Sequence, residues 1–272
     1  MQAQRHRQQL LFERFLHRAQ TIFGPRVLVK GGVALEVRTE SARATRDVDL
    51  TIWGKPAEVR AGILSIASMT MDDWFEFGVL VHPTKPALTG DGLRYGGERF
   101  RVQAHLAGKP TGDGFSVDVT FGGNLAGPPD LLPGSRILDP LGMDAIVLRA
   151  VNVPTHLAEK LHAFSAPGRK SRVKDLPDMA LLAGLGPLDA DALRQALAHT
   201  FTTRKTHALP PSLPPSPSEW ASGYRDLVAR HGLPWKSLDA LHAAVAAFFD
   251  PLLGRHVGHV AWNPATWHWE WA

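Results

Sequence analysis

The chain has 272 residues, of which 44% are hydrophobic and 21% charged, enough for a packed core in one large domain or two smaller ones. It contains no cysteine, which excludes disulfides and thiolate metal sites and leaves oxygen or imidazole ligands for any metal. The net charge of +4 suits a polyanionic partner or a nucleotide substrate, but is also common in ordinary proteins. Since neither a long apolar run nor a secretory signal is evident, we expect a cytoplasmic location and no membrane partner.

The N-terminal half alternates between helical and strand-like patterns. Apolar residues at helical spacing predict a first helix that ends at Gly24. Residues 27–29 predict a short strand, and Gly31 and Gly32 then open onto a second helix. The alternation of apolar and polar residues over 47–52 predicts a half-buried strand.

Two more alternating runs, residues 100–106 and 115–121, predict a hairpin whose turn is the Gly- and Pro-rich segment 108–114. Residues 146–151 predict one more strand. The rest of the chain is mostly helical in pattern. The predicted helices are residues 155–164, 176–185, 190–199, 220–231 and 238–249.

We therefore predict an α/β (α+β) N-terminal lobe with a mixed sheet, residues 1–150, and a mainly α-helical C-terminal lobe, residues 151–272. Five prolines in residues 209–218 predict an extended connector, either between domains or laid over a surface. The C-terminal residues 261–272 hold four tryptophans, which we expect to pack on the body of the protein.

The candidate chemistry centres on Asp47 and Asp49. Residues two apart on a strand point the same way and lie roughly 6.6 Å apart, so both carboxylates share one face. Two such carboxylates suit Mg²⁺ (or Mn²⁺) together with substrate phosphates. Asp118, on the polar face of another predicted strand, is the natural third ligand. Three converging acids would repel one another strongly, so the arrangement predicts a bound metal.

Gly31 and Gly32 lie between a predicted strand and a predicted helix. Glycine lets the backbone approach a phosphate, and a helix N-terminus supplies free N–H donors. Taken alone, a Gly-Gly pair is equally typical of a tight turn, and an Asp-x-Asp pair of a solvated strand face. The order strand, Gly-Gly, helix, Asp-x-Asp strand, third-Asp strand is much more specific.

The segment VKGGVALEVRTESARATRDVDL, residues 29–50, resembles the K-G-G-x-A-L … R-x-T-x-D-x-D-L signature of the AbiEii/AbiGii toxin family. That family lies within the DNA polymerase β-like nucleotidyltransferase superfamily. Residues 157–163, LAEKLHA, resemble its A-E-K-L-x-A helix, and residues 172–178, RVKDLPD, its R-x-x-D-x-x-D segment. The similarity runs from about residue 27 to residue 183.

The resemblance implies the toxin of a toxin–antitoxin or abortive-infection system, with a cognate antitoxin encoded nearby. Such an enzyme would transfer a nucleotide from a nucleoside triphosphate (NTP), with a divalent metal, to an RNA acceptor such as tRNA. Gly32 stands where many transferases of the superfamily have serine, so backbone N–H groups would replace a hydroxyl contact to phosphate. The resemblance implies Asp47, Asp49 and Asp118 as metal ligands that also take part in catalysis, with Asp118 alternatively a general base. It implies two further catalytic residues, Lys160 and Asp175. The implied nucleotide-binding residues are Gly31, Gly32, Lys30, Arg46 and Lys160.

Other interpretations of these residues stay open. Lys160 lies at the edge of an apolar stripe, which is typical of a surface lysine, and Asp175 precedes a helix, which is typical of an N-cap. Lys30 and Arg43 match the family pattern and also suit structural roles. A basic cluster is a candidate contact for a nucleic-acid acceptor or for the nucleotide's phosphates. Its members are Arg169, Lys170, Arg172 and Lys174.

Two other functions fit the same pattern. One is a nucleotidyltransferase that modifies a small molecule or a protein rather than RNA. The other is a nucleotide-binding module that keeps the fold without turnover.

Overall fold

The structure is a computed structural model. It describes residues 2–39, 42, 44–88, 95–123, 125–143, 145–168, 172–254 and 259–271. The chain divides into two units. The first consists of Met1–Val37, Ala44–Gly123 and Pro129–Val151, and the second of Arg38–Arg43, Asn124–Pro128 and Asn152–Ala272. The domain boundary predicted between residues 150 and 151 stays a prediction.

The first ten elements begin in the first unit. They are α1 (Gln2–Phe23), β1 (Val27–Lys30), α2 (Gly31–Arg38), β2 (Asp47–Ile52), α3 (Pro56–Ser65), β3 (Phe75–Val81), β4 (Gly97–Leu106), β5 (Lys109–Thr120), β6 (Asp130–Pro133) and β7 (Val147–Ala150). The seven strands form one sheet in the order β3-β4-β5-β2-β1-β7-β6. β2 pairs parallel with β5 and antiparallel with β1, while β1 pairs parallel with β7. The predicted mixed α/β sheet is therefore confirmed.

Aromatic packing of α1 on the sheet creates the core of this unit. Phe12 and Phe15 of α1 lie edge-on to Phe115 of β5, with ring centroids 4.9 and 5.8 Å apart, and Phe15 also meets Phe77 of β3 at 5.7 Å. All four side chains are buried. Because side chains alternate along a strand, covering this face with α1 leaves the polar residues of β2, β4 and β5 on the opposite face.

The predicted hairpin forms, but the predicted turn at residues 108–114 is wrong. β5 starts at Lys109, so the turn consists of Ala107 and Gly108, whose φ angles are 50° and 74°. Two positive φ angles in succession are the requirement of a type I′ hairpin turn. The first part of β5, up to Phe115, pairs with β4 but not with β2. Pro110 is tolerated there because an unpaired strand edge needs no N–H donor.

The remaining elements lie in the second unit. They are α4 (Val153–Ser165), α5 (Asp175–Ala183), β8 (Leu188–Asp189), α6 (Ala190–Arg204), α7 (Trp220–His231), α8 (Leu238–Leu253), β9 (Val260–Asn263) and β10 (His268–Trp271). All five predicted helices form, and α6 and α8 continue beyond their predicted ends. A small sheet, ordered β10-β9-β8, was not predicted.

The tryptophan-rich segment forms the β9–β10 hairpin of that sheet. Trp262 is fully buried, while Trp267 and Trp269 are partly buried; all three donate their indole N–H to backbone carbonyls of the second unit. Trp271, at the end of the strand, is 82% exposed. The expected packing therefore holds for three of the four tryptophans and is wrong for Trp271.

The proline-rich residues 209–218 contain no helix or strand and lie within the second unit. The side chain of Leu213 is buried, and its backbone N–H donates to the Asp250 carboxylate on α8 at 2.6 Å. A ring nitrogen of His242, also on α8, lies 3.1 Å from the carbonyl oxygen of Pro214. The segment is thus extended chain bound along α8.

Within the described ranges, every helix is too short or too polar to cross a bilayer.

A buried ion pair joins α1 to the segment before β3. The guanidinium of Arg18, which is fully buried, donates to both carboxylate oxygens of Asp73 at 2.8 and 2.7 Å and to the carbonyl of Phe75 at 2.6 Å. It also lies 5.0 Å from the ring centroid of Phe77. Burial alone would raise the pKa of Asp73, but the hydrogen bonds and charge of Arg18 hold it below its ordinary value.

We predict that Asp73→Ala lowers the free energy of unfolding by about 3–5 kcal/mol, because it leaves the buried guanidinium of Arg18 without its counterion. Urea denaturation followed by circular dichroism measures the change. The neighbouring Asp72 is exposed, so Asp72→Ala is the control and should alter stability by no more than about 0.5 kcal/mol. Equal losses of unfolding free energy in the two variants would contradict the proposed contribution of this ion pair to stability.

Candidate active site

Four charged residues lie in one row across the centre of the large sheet. Strand pairing aligns Lys30 of β1 with Asp49 of β2, Asp49 with Asp118 of β5, and Asp118 with Arg99 of β4. The two acidic residues, on adjacent strands, thus have a basic residue on either side, Lys30 on one and Arg99 on the other. Asp47 lies two residues before Asp49, on the same strand face and exposed. The structure therefore brings the three predicted acids together on the polar face of the sheet.

Arg99, which was not predicted from sequence, binds Asp118 through two hydrogen bonds. Its Nε donates to Oδ1 and its Nη2 to Oδ2, both at 2.6 Å. Hydrogen bonding to Asp118 raises the pKa of the guanidinium above its ordinary value, against the opposing effect of burial, and the charges of Asp47 and Asp49 act in the same direction. The alternating pattern of β4 places Arg99 on a polar face, but only the strand register identifies its partner.

Gly31 and Gly32 begin α2 directly beside β2. Gly31 has φ +57°, and a Cβ at this position would overlap the carboxylate of Asp49. A Cβ on Gly32 would lie 2.6 Å from Oγ1 of Thr45, a buried residue. Both glycines therefore allow the start of a helix to lie against the acidic strand. This close approach supplies a structural reason for the pair, and it also leaves the first backbone N–H groups of α2 next to the acids.

Asp47 and Asp49 offer the hard oxygen ligands that a divalent cation such as Mg²⁺ prefers. Both oxygens of Asp118 accept hydrogen bonds from Arg99, so a cation at Asp118 would share this carboxylate with the guanidinium. Among the described residues, no three His, Asp or Glu side chains are grouped so as to hold a metal ion. The residues present thus fit a cation held by two carboxylates, and the predicted third ligand is engaged elsewhere. Arg46, a predicted nucleotide-binding residue, is exposed beside Asp47.

A second charged cluster lies in the second unit. The ammonium of Lys160 on α4 donates to Asp175 at 3.0 Å and to Asp178 at 2.7 Å, both on α5, and the lysine side chain is only 13% exposed. Burial would lower the pKa of Lys160, but the two carboxylates outweigh burial and raise it above its ordinary value. Lys160 is therefore a buried charged group, and the interpretation as a solvated surface lysine is wrong.

Asp175 is not an N-cap. The cap position of α5 is Lys174, and Asp175 lies in the first turn with its carboxylate directed to Lys160. Asp178 was not assigned a role from the sequence, although its spacing of three from Asp175 places both acids on one helix face. Of the predicted basic cluster, Arg172 lies 3.6 Å from Asp175. Three residues interpreted from the sequence lie outside the described ranges: Arg43, Arg169 and Lys170.

Next to this cluster, a hydrogen-bonded chain of side chains fastens the segment after α6 to α4. Oγ1 of Thr206 lies 2.9 Å from Nε2 of His162 and 2.8 Å from Nδ1 of His207, whose Nε2 lies 2.8 Å from Oγ of Ser165. Burial, with the nearby positive charge of Arg204, lowers the pKa of His162 from its ordinary 6.5 to about 4. His162 is therefore neutral in the folded protein at neutral pH.

We predict that Gly31→Ala displaces the carboxylate of Asp49 and lowers the free energy of unfolding by more than Gly24→Ala does. Gly24 has the same φ of +57° with no atom within 4 Å of an added Cβ, so its variant measures the left-handed backbone alone, about 1–2 kcal/mol. The overlap with Asp49 adds to that cost at Gly31. Urea denaturation measures the free energy of unfolding of both variants. Equal losses would show that the overlap with Asp49 does not require glycine at position 31.

We also predict that acid weakens the fold through His162. Between pH about 6.5 and about 4 the unfolded chain binds a proton at this residue and the folded chain does not, so the free energy of unfolding falls as the pH falls. His162→Gln should reduce that slope, and urea denaturation at several pH values from 7 to 4.5 measures it. His199, which is exposed, provides the control variant His199→Gln. An unchanged slope in His162→Gln would contradict the prediction.

The chain is similar to known proteins over most of its length. A family model described as "Nucleotidyl transferase AbiEii toxin, Type IV TA system" matches residues 14–249. Among solved structures, MenT4, a nucleotidyltransferase toxin from Mycobacterium tuberculosis H37Rv, matches with a TM-score of 0.56 and 19% identity, covering 97% of this chain and 87% of that one. JHP933 from Helicobacter pylori matches with a TM-score of 0.47 and 13% identity, covering 90% and 93%. No curated protein matches the chain.

At 19% identity the likeness to MenT4 shows a shared fold. The family match carries the identification, because it spans most of the 272 residues and includes both charged clusters. A toxin of this kind is one half of a type IV toxin–antitoxin system. The chain is therefore a nucleotidyltransferase that belongs to the AbiEii toxin family of type IV toxin–antitoxin systems.

Proposed function

We propose that this enzyme transfers a nucleoside monophosphate from an NTP to an RNA acceptor, of which tRNA is the first candidate, in a reaction that depends on Mg²⁺ or Mn²⁺. The observation that carries the proposal is the alignment of Asp49 with Asp118, with Asp47 on the same face, beside the start of α2. Acids grouped next to a helix N-terminus suit a substrate that is a phosphate chain with its cation.

Asp47 and Asp49 are the residues that would hold the cation. When bound, the cation would neutralise charge on the triphosphate and on the oxygens that attack and leave the α-phosphorus. The backbone N–H groups of Gly31 and Gly32 would bind phosphate oxygens, since these glycines begin α2 directly against Asp49. Together these groups position the triphosphate and offset its charge, which is the main contribution of a protein to phosphoryl chemistry.

In the reaction, an acceptor hydroxyl oxygen forms a bond to the α-phosphorus, the bond to the bridging oxygen of the β-phosphate breaks, and pyrophosphate leaves. The hydroxyl proton passes to a base, for which Asp118 is the candidate in this unit. Lys160 would bind phosphate oxygens as a permanent cation, since its two carboxylate partners keep it charged.

Charge supports a nucleic-acid acceptor. Arg101 is exposed on β4, two residues from Arg99 and on the same strand face. Arg172 and Lys174 are exposed just before α5. Exposed cations of this kind neutralise backbone phosphates of RNA without reading its sequence. The cognate antitoxin, encoded nearby, would limit the effect of this modification on the cell.

The test is transfer of label to RNA. Purified enzyme is incubated with total tRNA, Mg²⁺ or Mn²⁺, and each NTP labelled at the α-phosphate; the expected result is labelled RNA with one or more NTPs. Label placed at the γ-phosphate should not be transferred, because it leaves with pyrophosphate. If only small metabolites are labelled, the acceptor is a small molecule and the proposal of an RNA acceptor is wrong. Absence of both labelling and any NTP-induced thermal shift would favour a binding module without turnover.

We predict that Asp49→Asn and Lys160→Met each reduce labelling by about a hundred- to a thousandfold, because each removes a charge placed for the transition state. Initial rates at saturating NTP measure the effect. Asp113 is exposed in the part of β5 that does not pair with β2, so it provides the control, and Asp113→Asn should keep full activity. A double variant, Asp47→Ala with Asp49→Ala, that still labels RNA would refute the assignment of the site.

A further inference from the structure

We propose that Arg99 is a positioning residue that holds Asp118 and competes with a divalent cation for the charge of this third carboxylate. The inference rests on the proposed function, because that function assigns a divalent cation to Asp47 and Asp49, next to Asp118. It gives Arg99 a role that follows from its contacts rather than from its position in the sequence.

The first argument is the geometry of the pair. Both oxygens of Asp118 accept short hydrogen bonds of 2.6 Å from one planar guanidinium. This bidentate arrangement is the strongest that a carboxylate forms with a side chain. A cation that coordinated Asp118 would lie beside the guanidinium and share the carboxylate's negative charge with it, so the two compete for that charge.

The second argument is the neighbouring acid. Asp49 and Asp118 are aligned on adjacent parallel strands, which lie about 4.8 Å apart. Two carboxylates at that spacing repel each other, and a cation close by offsets the repulsion. Arg99 supplies that cation on the far side of Asp118, as Lys30 is aligned with Asp49 on the other side. The row is therefore balanced in charge before any metal arrives.

The third argument is exposure. The side chains of Arg99 and Asp118 are 33% and 18% exposed, whereas the Arg18 and Asp73 side chains are 0% and 5% exposed. The Arg99–Asp118 pair is only partly buried, so separating its two charges leaves them less desolvated than separating Arg18 from Asp73 would. Arg99 can therefore release Asp118 without exposing the core.

The test is the affinity for Mn²⁺ alone, measured by electron paramagnetic resonance on the full chain. Arg99→Gln removes the competitor and should bind Mn²⁺ about tenfold more tightly than the wild type, a size typical of coupling between residues in direct contact. Arg101→Gln removes an equal charge from the same strand face and should change the affinity by less than about twofold. This control separates competition at Asp118 from a general change in electrostatic field.

A second pair of variants locates the effect. If the increase in Mn²⁺ affinity arises at Asp118, adding Asp118→Asn to Arg99→Gln should abolish that increase. If Arg99 were purely structural, the increase would not depend on Asp118. Arg99→Lys keeps the charge but makes a point contact, so its affinity should fall between those of the wild type and Arg99→Gln. It also serves as the test variant if circular dichroism shows that Arg99→Gln does not fold.

Two results would overturn the inference. In the first, a folded Arg99→Gln variant binds Mn²⁺ no more tightly than the wild type. In the second, the double variant with Asp118→Asn binds Mn²⁺ as tightly as Arg99→Gln alone. Loss of the proposed function gives a different result. Tighter binding of Mn²⁺ by Arg99→Gln without any labelling of RNA would leave the competition intact and refute the acceptor. Labelling that depends on Asp49, with equal Mn²⁺ affinity in wild type and Arg99→Gln, would refute the competition alone.

Discussion

The pairing of β2 with β1 on one side and β5 on the other is the constraint on which the candidate site depends. β2 is antiparallel to β1 and parallel to β5, and the register places Asp49 beside Lys30 and Asp118 at once. A shift of one residue would turn Asp47 and Asp49 into the core and bring Val48 to the polar face. The buried Val48, Leu50 and their neighbours under α1 resist that shift, so core packing fixes the positions of the acids.

Local patterns in the sequence predicted much of this unit. Alternation along residues 47–52 located Asp47 and Asp49 on one face, and the Gly-Gly pair located the start of α2. Such features depend on residues close together in the chain, where spacing alone determines direction. The unpredicted edge strands β3 and β6 carry weaker patterns, since the outer face of β3 includes Gly78 and the exposed Leu80 rather than a run of polar residues.

Contacts between distant residues were beyond sequence reasoning. Arg99 and Asp118 are 19 residues apart, and their pairing depends on a two-residue turn at Ala107 and Gly108 that the Gly- and Pro-rich segment obscured. The partners of Lys160 followed the same rule, because Asp175 and Asp178 lie on α5, a different helix from the lysine. Residue types indicated the chemistry, whereas the register and the packing determined which residues are partners.

The placement of the tryptophans has a consequence for how this enzyme is observed in solution. Two of the eight, Trp53 and Trp74, belong to the first unit. The other six belong to the second unit: Trp220, Trp235, Trp262, Trp267, Trp269 and Trp271. Intrinsic fluorescence is therefore dominated by the unit that carries Lys160, and loss of order around Asp47 and Asp49 would leave most of the emission unchanged. Spectroscopy of the acidic site needs a reporter other than the native indoles.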